Sequence, residues 1–395
     1  MFKAVLGWIR QARLPSLFLF LVVGFSLVFA VFYHSGSQPS GLSTSEVMAR
    51  NSSQSFTDIY HNPVNAPHKL VILAALKLGL SGHGSLRLSS AVFAIIFALA
   101  FYVLARMWFG KSISLFGTVL FLSLPIFIIA SRQASANIMY FSPIVILAVY
   151  NWLLRTKHNH AAAWLLLVLC CGIFIYVPGL VWWLAGAAVI ARNKLIEKLE
   201  EIPSWLFVTG LSLFTIMLVP AGLSIVHDWR LVRSFGLIPA HWPHILQLFK
   251  NLGWMLSSLF VKTPYHSALI IERLPLLNLI QIALLAIGSY AMWRASWVKA
   301  LVLDANVVFA VLAAALNNNI SLLILGLPAI AVFMAAGLRY LYIEWRSVFP
   351  SNPLPKALAL TLIACLVAVQ LVFGLSYSLL AWPHAVATKS AYVLK

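Results

Sequence analysis

Apolar runs of membrane-crossing length govern what this chain can become. The first, Pro15–Tyr33, would reach ~28 Å as a helix at ~1.5 Å per residue, close to the ~30 Å hydrocarbon thickness of a bilayer. Further runs follow at Leu86–Ala105, Ile113–Ala130, Ile138–Leu154, Ala162–Tyr176 and Gly179–Ile190, then at Trp205–Leu223, Leu274–Trp293, Leu301–Leu316, Ile320–Tyr340 and Ala357–Tyr377. In hydrocarbon each backbone N–H and C=O must be satisfied without water, which restricts spans of this kind to helices. The expectation is an all-α polytopic membrane protein of about eleven transmembrane helices. Residues 1–395 are read as a single transmembrane domain with no separate soluble domain.

Composition agrees. The chain is 62% hydrophobic and 9% charged, whereas a soluble domain has about a quarter of its residues charged. The basic start (Lys3, Arg10, Arg13) leads into a full-length span without a small-residue cleavage site, so that span is expected to be retained. Cys170, Cys171 and Cys365 all lie in apolar runs, which argues against a disulfide framework or a zinc site. A net charge of +18 is met by membrane lipids and orientation signals rather than by nucleic acid. Placing the N-terminus in the cytoplasm puts more of the 27 Lys and Arg residues in the inner segments than in the outer ones.

Two long polar segments interrupt the apolar pattern, 34–85 and 224–273, and both fall on the outer side in that orientation. Within the second, Pro243–Phe260 carries a stripe of Ile245, Leu248, Phe249, Leu252, Leu256 and Phe260, with Gln247, Lys250, Asn251 and Ser258 off it. That pattern predicts an amphipathic helix in the membrane interface. In the first segment, the short apolar stretch His68–Leu80 predicts another.

The first outer loop concentrates the chemistry. It holds Glu46 and Asp58, two of nine acidic residues, together with His61 and Lys69. Glu46 closes Ser43-Thr44-Ser45-Glu46, the pattern of a capping box, so it reads both as a helix cap and as a general base for an acceptor hydroxyl. Lys69 reads as an anchor on lipid phosphate or as a ligand of substrate phosphate, and Asp58 is the second carboxylate available. Arg132 in Ser131-Arg132-Gln133 can snorkel to headgroups or clamp a phosphate, for which its forked donors are suited. Asn137 can bond a sugar hydroxyl, Arg87 is read as an interfacial anchor, and Asp304 is expected to pair locally. His158 and His160 supply too few ligands for a metal site.

The order Ser45-Glu46, His61-Asn62-Pro63, Ser85-Leu86-Arg87-Leu88-Ser89-Ser90, Tyr102-Val103-Leu104-Ala105-Arg106 with Phe109-Gly110, and Ser131-Arg132 with Asn137 resembles the membrane glycosyltransferases of the GT-C superfamily. The resemblance runs from about Gly41 to Leu154 and is closest to the protein O-mannosyltransferase and lipid A aminoarabinose transferase branch. It implies a polyprenyl-phosphate or dolichyl-phosphate sugar donor, a lipid, glycan or protein acceptor, an active site facing outward, and inverting transfer without a nucleotide sugar; no cofactor is expected. In that light Glu46 is the expected base, with Arg132, Lys69, Asn137, His61 and Asp58 around the substrate. Ser45 and Asn137 stand where the family usually has acidic residues. Two other functions fit the composition: a transporter or flippase of a lipid-linked anion, and a non-catalytic binding protein of the same fold. A transporter would more often show an internal repeat and charged or broken helices at mid-membrane, which this sequence does not clearly show.

Overall fold

A computed structural model of the chain describes residues 24–26, 28–156, 159–263, 269–348 and 353–394, without the side chains of 112, 353, 354 and 356. Most of the first expected span, and His158, therefore lie outside the described residues. The described residues are helical apart from loops and one isolated antiparallel bridge between Leu42 and Leu394.

Each apolar run from Leu86 onward becomes helical, though the run Ile113–Ala130, expected as one span, is split into two helices and Ile320–Tyr340 opens with a 3-10 segment. The first loop folds into α1 (Thr44–Asn51), α2 (Phe56–His61) and α3 (Ala66–Lys77). The bundle continues with α4 (His83–Phe109), α5 (Lys111–Leu122), α6 (Pro125–Ser131), a 3-10 segment (Ala136–Phe141), α7 (Pro143–Arg155), α8 (His160–Phe174), α9 (Leu180–Ile190), α10 (Arg192–Glu200) and α11 (Ser204–His227). After α12 (Arg230–Gly236) and α13 (Ile245–Phe260) come α14 (Leu279–Ala295), α15 (Trp297–Asn317), α16 (Leu327–Val348), α17 (Pro353–Leu375) and a last short helix, α18 (Val386–Ala391).

Among the described residues, six helices are long and apolar enough to cross a membrane, or seven if the bent pair α5 and α6 is one span. α8, α9 and α14 occupy expected spans but are shorter apolar helices. The bend between α5 and α6 is 65° and falls at Ser123-Leu124. Pro125 opens α6, where a missing N–H costs nothing. The break ends α6 in a buried turn at Ser131, Arg132 and Gln133 instead of running the helix on.

Between helices in lipid, close packing replaces the hydrophobic drive. Phe101, Phe121, Phe127 and Phe141 pack in series, stacked, tilted and then edge-on, with centroids 4.6, 4.4 and 5.1 Å apart, and tie α4, α5, α6 and the 3-10 segment together. α14 and α16 cross at Gly288 and Gly337, where a Cβ on either residue would run into the opposing backbone.

The second long segment forms the expected amphipathic helix, and the structure shows which face meets the bundle. α13 is amphipathic, but Asn251 and Ser258 are buried while Ile245, Phe249, Leu256 and Phe260 are exposed. The reason is a polar contact with the bundle: Asn251 Nδ2 donates to the carbonyl of Ala315 in α15 at 2.9 Å, which turns the apolar stripe outward.

The C-terminus returns to the first loop. Leu42 N–H donates to the Leu394 carbonyl at 2.7 Å, and Leu394 N–H donates back at 3.3 Å. A Cβ at Gly41 would collide with the Tyr392 carbonyl, so this approach requires glycine. The first loop and the C-terminus thus share one end of the bundle.

Candidate functional site

Glu46 sits at the third position of α1, and Ser43 at the N-cap has the extended backbone a cap requires. The capping box forms: Glu46 Oε2 accepts from the Ser43 N–H at 2.8 Å and from its hydroxyl at 3.2 Å. Oε1 accepts from Arg87 Nε at 3.1 Å and from the Ala134 N–H at 2.7 Å. The carboxylate is fully buried and Arg87 is 1% exposed. A carboxylate offers about four acceptor sites, and here all are filled. The expectation that Glu46 faces an acceptor hydroxyl does not match this geometry. The expectation that Arg87 anchors in the interface is corrected outright, because its guanidinium is inside the protein.

Two guanidinium groups hold the strap that joins the first span to α1. Arg87 Nη1 donates to the Ser35 and Pro39 carbonyls at 2.7 and 3.2 Å, and Nη2 donates to Gly41 at 2.7 Å. Arg132 Nη1 donates to the Ala30 and Tyr33 carbonyls at 3.0 and 2.6 Å, and Nη2 reaches Gln38 at 3.4 Å. Ala30 and Tyr33 lie at the end of the first helix, whose last carbonyls lack intrahelical donors and carry the negative end of its dipole. Arg132 is thus a helix cap here and not a snorkelling residue. Burial and the nearby charge of Arg87 lower its pKa to about 10.

Around this pair runs a closed polar network. Gln133 Nε2 donates to the Tyr392 hydroxyl at 2.7 Å, and Gln133 Oε1 accepts from Ser135 and from Asn137 Nδ2 at 3.1 and 3.2 Å. Asn137 is tied into the site through its neighbours. The Tyr392 ring lies 5.9 Å from the Arg87 guanidinium carbon. Burial and the negative charge of Glu46 push the Tyr392 phenol far up.

His68 joins α3 to this network. The Ser89 and Ser90 hydroxyls donate to the carbonyls of Leu86 and Ser135, so both accept from His68 Nε2, at 3.0 and 2.9 Å. This fixes a neutral imidazole with its proton on Nε2, and Nδ1 is buried without a partner. Burial, helped by the charge of Lys69, lowers the His68 pKa to about 3.

Successive helical residues point about 100° apart, so Lys69 leaves the network that His68 enters. It is 7% exposed, and its ammonium donates to the Asn62 carbonyl at 2.7 Å with no carboxylate in reach among the described residues. Burial lowers its pKa to about 8. Ser55 caps α2, its hydroxyl accepting from the Asp58 N–H at 3.1 Å. Asp58 Oδ2 accepts from the same hydroxyl group at 2.8 Å, while its second oxygen has no hydrogen bond among the described residues. His61 is exposed at the end of α2, its ring 5.6 Å from that of His227.

The expected site residues therefore form two groups. Glu46, Arg132 and Asn137 belong to the closed network, and Glu46 and Arg132 meet through the turn at Ala134. Lys69 reaches the end of α2 at Asn62, the residue after His61, and Asp58 lies in the first turn of that helix. Sequence reasoning missed Arg87, Gln133 and Tyr392 as members. Ser89 and Ser90 beside Arg87 were a signal of a polar face on α4, whereas nothing local marked Tyr392. Of the other expectations, Asp304 pairs with the Trp293 indole at 2.7 Å, and the three cysteines are free.

No family model and no curated protein matches the sequence. Solved structures do match the fold. The chain is similar to ArnT from Cupriavidus metallidurans in the apo state, with a TM-score of 0.57 at 15% identity, covering 98% of this chain and 78% of that one. It is similar to the same protein bound to undecaprenyl phosphate, with a TM-score of 0.59 at 14% identity over 97% and 75%. It is also similar to the archaeal oligosaccharyltransferase AglB from Archaeoglobus fulgidus in complex with an inhibitory peptide and a dolichol-phosphate, with a TM-score of 0.55 at 12% identity over 94% and 56%. The likeness is one of fold: the chain shares the all-α, GT-C-like membrane fold of these proteins.

Proposed function

We propose that this chain is a membrane glycosyltransferase that moves a hexose from a polyprenyl-phosphate donor to an acceptor hydroxyl. The reaction takes place at the outer face, with the N-terminus in the cytoplasm. The observation that carries this reading is Lys69, a buried ammonium with no counter-charge among the described residues, in a fold of which two solved examples hold undecaprenyl phosphate or a dolichol-phosphate. A buried cation without a carboxylate is costly, and a phosphate oxygen supplies the missing partner. The N-terminal turn of α3 adds its dipole in the same sense.

In this mechanism the acceptor oxygen attacks the anomeric carbon opposite the phosphate. The bond from that carbon to the phosphate oxygen breaks, and its electron pair leaves with polyprenyl phosphate. Single displacement inverts the anomeric centre. Lys69 meets the charge that develops on the leaving phosphate. The acceptor proton goes to Asp58, whose free oxygen suits it better than Glu46, since every acceptor site of Glu46 is taken. Glu46, Arg87 and Arg132 position the loop, His61 lines the approach to Asp58, and Asn137 stays with the network that supports it.

The test is incubation of purified protein with radiolabelled polyprenyl-phosphate hexoses and measurement of released lipid phosphate. Release that depends on an acceptor and is lost in Lys69→Met supports the reading. A second reading, a binding protein of the same fold, is favoured by Ser45 in the usual acidic place and by the saturated Glu46 carboxylate. It is chosen if lipid phosphate binds and no donor tested is turned over.

A further inference from the structure

The far end of α4 carries a second cluster of charge. Trp108 lies 21 residues beyond Arg87 on one continuous helix, ~31 Å along its axis. Three helices converge on this tryptophan. Its indole donates to Asn151 Oδ1 of α7 at 2.6 Å, its carbonyl accepts from Arg339 Nη1 of α16 at 3.3 Å, and Lys299 Nζ of α15 sits 4.6 Å from its ring centroid. Arg155, one turn past Asn151 on α7, and Lys194 on α10 lie within electrostatic reach of Lys299. None of these four cations forms an ion pair with a carboxylate among the described residues. The acids nearest in sequence to Lys194 are on and just after α10, and Glu201 there is already engaged by Lys198 and His160. Four like charges drawn together without a counter-ion repel one another, and an anion removes that cost.

Beside them is an apolar crevice of about 160 Å³ between α7, α8, α9, α10 and α15. Its walls share the elements that bear the cations. Tyr150 is on α7 below Arg155, Leu195 adjoins Lys194, and Val302 is one turn from Lys299. The Tyr150 hydroxyl is buried there without a hydrogen-bond partner. A basic rim over an apolar slot with one unused hydroxyl suits an amphiphile, with the head on the rim and the chain in the slot.

We infer that this end of the bundle binds a single anionic phospholipid, its phosphate between Lys299, Arg339, Arg155 and Lys194 and its chain in the crevice against Tyr150. The site is about a bilayer's thickness from Glu46 and does not depend on the transferase reading.

The test uses the purified full chain in neutral detergent, with bound lipid counted by native mass spectrometry on titration with phosphatidylglycerol, phosphatidylcholine or inorganic phosphate. The expected result is one phosphatidylglycerol retained at concentrations where phosphatidylcholine is not, with retention reduced tenfold or more in two variants. Arg155→Gln with Lys194→Gln removes two exposed charges that make no side-chain hydrogen bond among the described residues, so the fold is kept. Ala187→Phe fills the crevice and leaves the charges. Lys69→Met should leave this retention unchanged, which separates it from the first-loop site. Equal retention of the two lipids, or no effect of either variant, overturns the proposal. Displacement by millimolar inorganic phosphate as effective as by lipid overturns it too, since the rim would then read phosphate alone.

Discussion

The carboxylate of Glu46 and the guanidinium of Arg87 meet at 3.1 Å with both side chains inside the protein, joining the first loop to α4 across 41 residues of sequence. The remaining Arg87 donors hold carbonyls of the strap at 35–41, so the pair fixes the loop from both sides.

Removing one partner of that pair strands the other as a buried charge. Glu46→Gln or Arg87→Met alone should lower stability by ~3–5 kcal/mol, and the double variant should recover a large part of the loss. Thermal unfolding of the four proteins in one detergent measures this. If the double variant is as unstable as the sum of the singles, the pair is not the coupled unit described here.

Asp58→Asn should lower turnover by ~10²–10⁴ while leaving binding of polyprenyl phosphate and the unfolding temperature near wild type, because it removes a proton acceptor and little else. Turnover within a few-fold of wild type would return the base to another group. Glu46 would then be the first to re-examine, in the background of Arg87→Met.

Lys69 binds an anion only while protonated. Its pKa in the folded protein is about 8, so affinity for polyprenyl phosphate should fall between pH 7.5 and 9.5, where the phosphate itself no longer titrates. The same depression has a stability consequence. Between the folded and unfolded values the unfolded chain holds more protons, so Lys69 contributes increasing stability as pH rises from about 8 to 10.5. Lys69→Met should flatten both dependences. A wild-type affinity unchanged across that range argues against an ammonium–phosphate contact.

His68 is held neutral, with its pKa near 3 against 6.5 for the free side chain. Below about 6.5 the unfolded chain takes up a proton that the folded chain refuses, so stability should decline as pH falls from 6.5 towards 3. His68→Gln keeps a donor for Ser89 and Ser90 and cannot titrate. Acid-induced unfolding should begin at lower pH in that variant than in wild type, and an identical onset would show that other groups dominate.

The lengths and hydropathy of the apolar runs are properties of consecutive residues, so the helices of the bundle, the capping box at Ser43–Glu46 and the concentration of polar groups in the first loop were readable in the sequence. The 65° bend before Pro125 was not, since Ile113–Ala130 reads as one span. What each polar side chain does was not readable, because it depends on partners far away in the chain. Gln133 meets Tyr392 across 259 residues, and Arg132 meets Ala30 across 102. The tertiary structure alone turned Glu46 and Arg132 inward onto backbone donors and carbonyls and left Lys69 without a counter-charge among the described residues. It also turned the polar face of α13 towards the bundle. Burial makes the difference: a charge that could sit in water at no cost must, once enclosed, take whatever donors and acceptors the packing brings within reach.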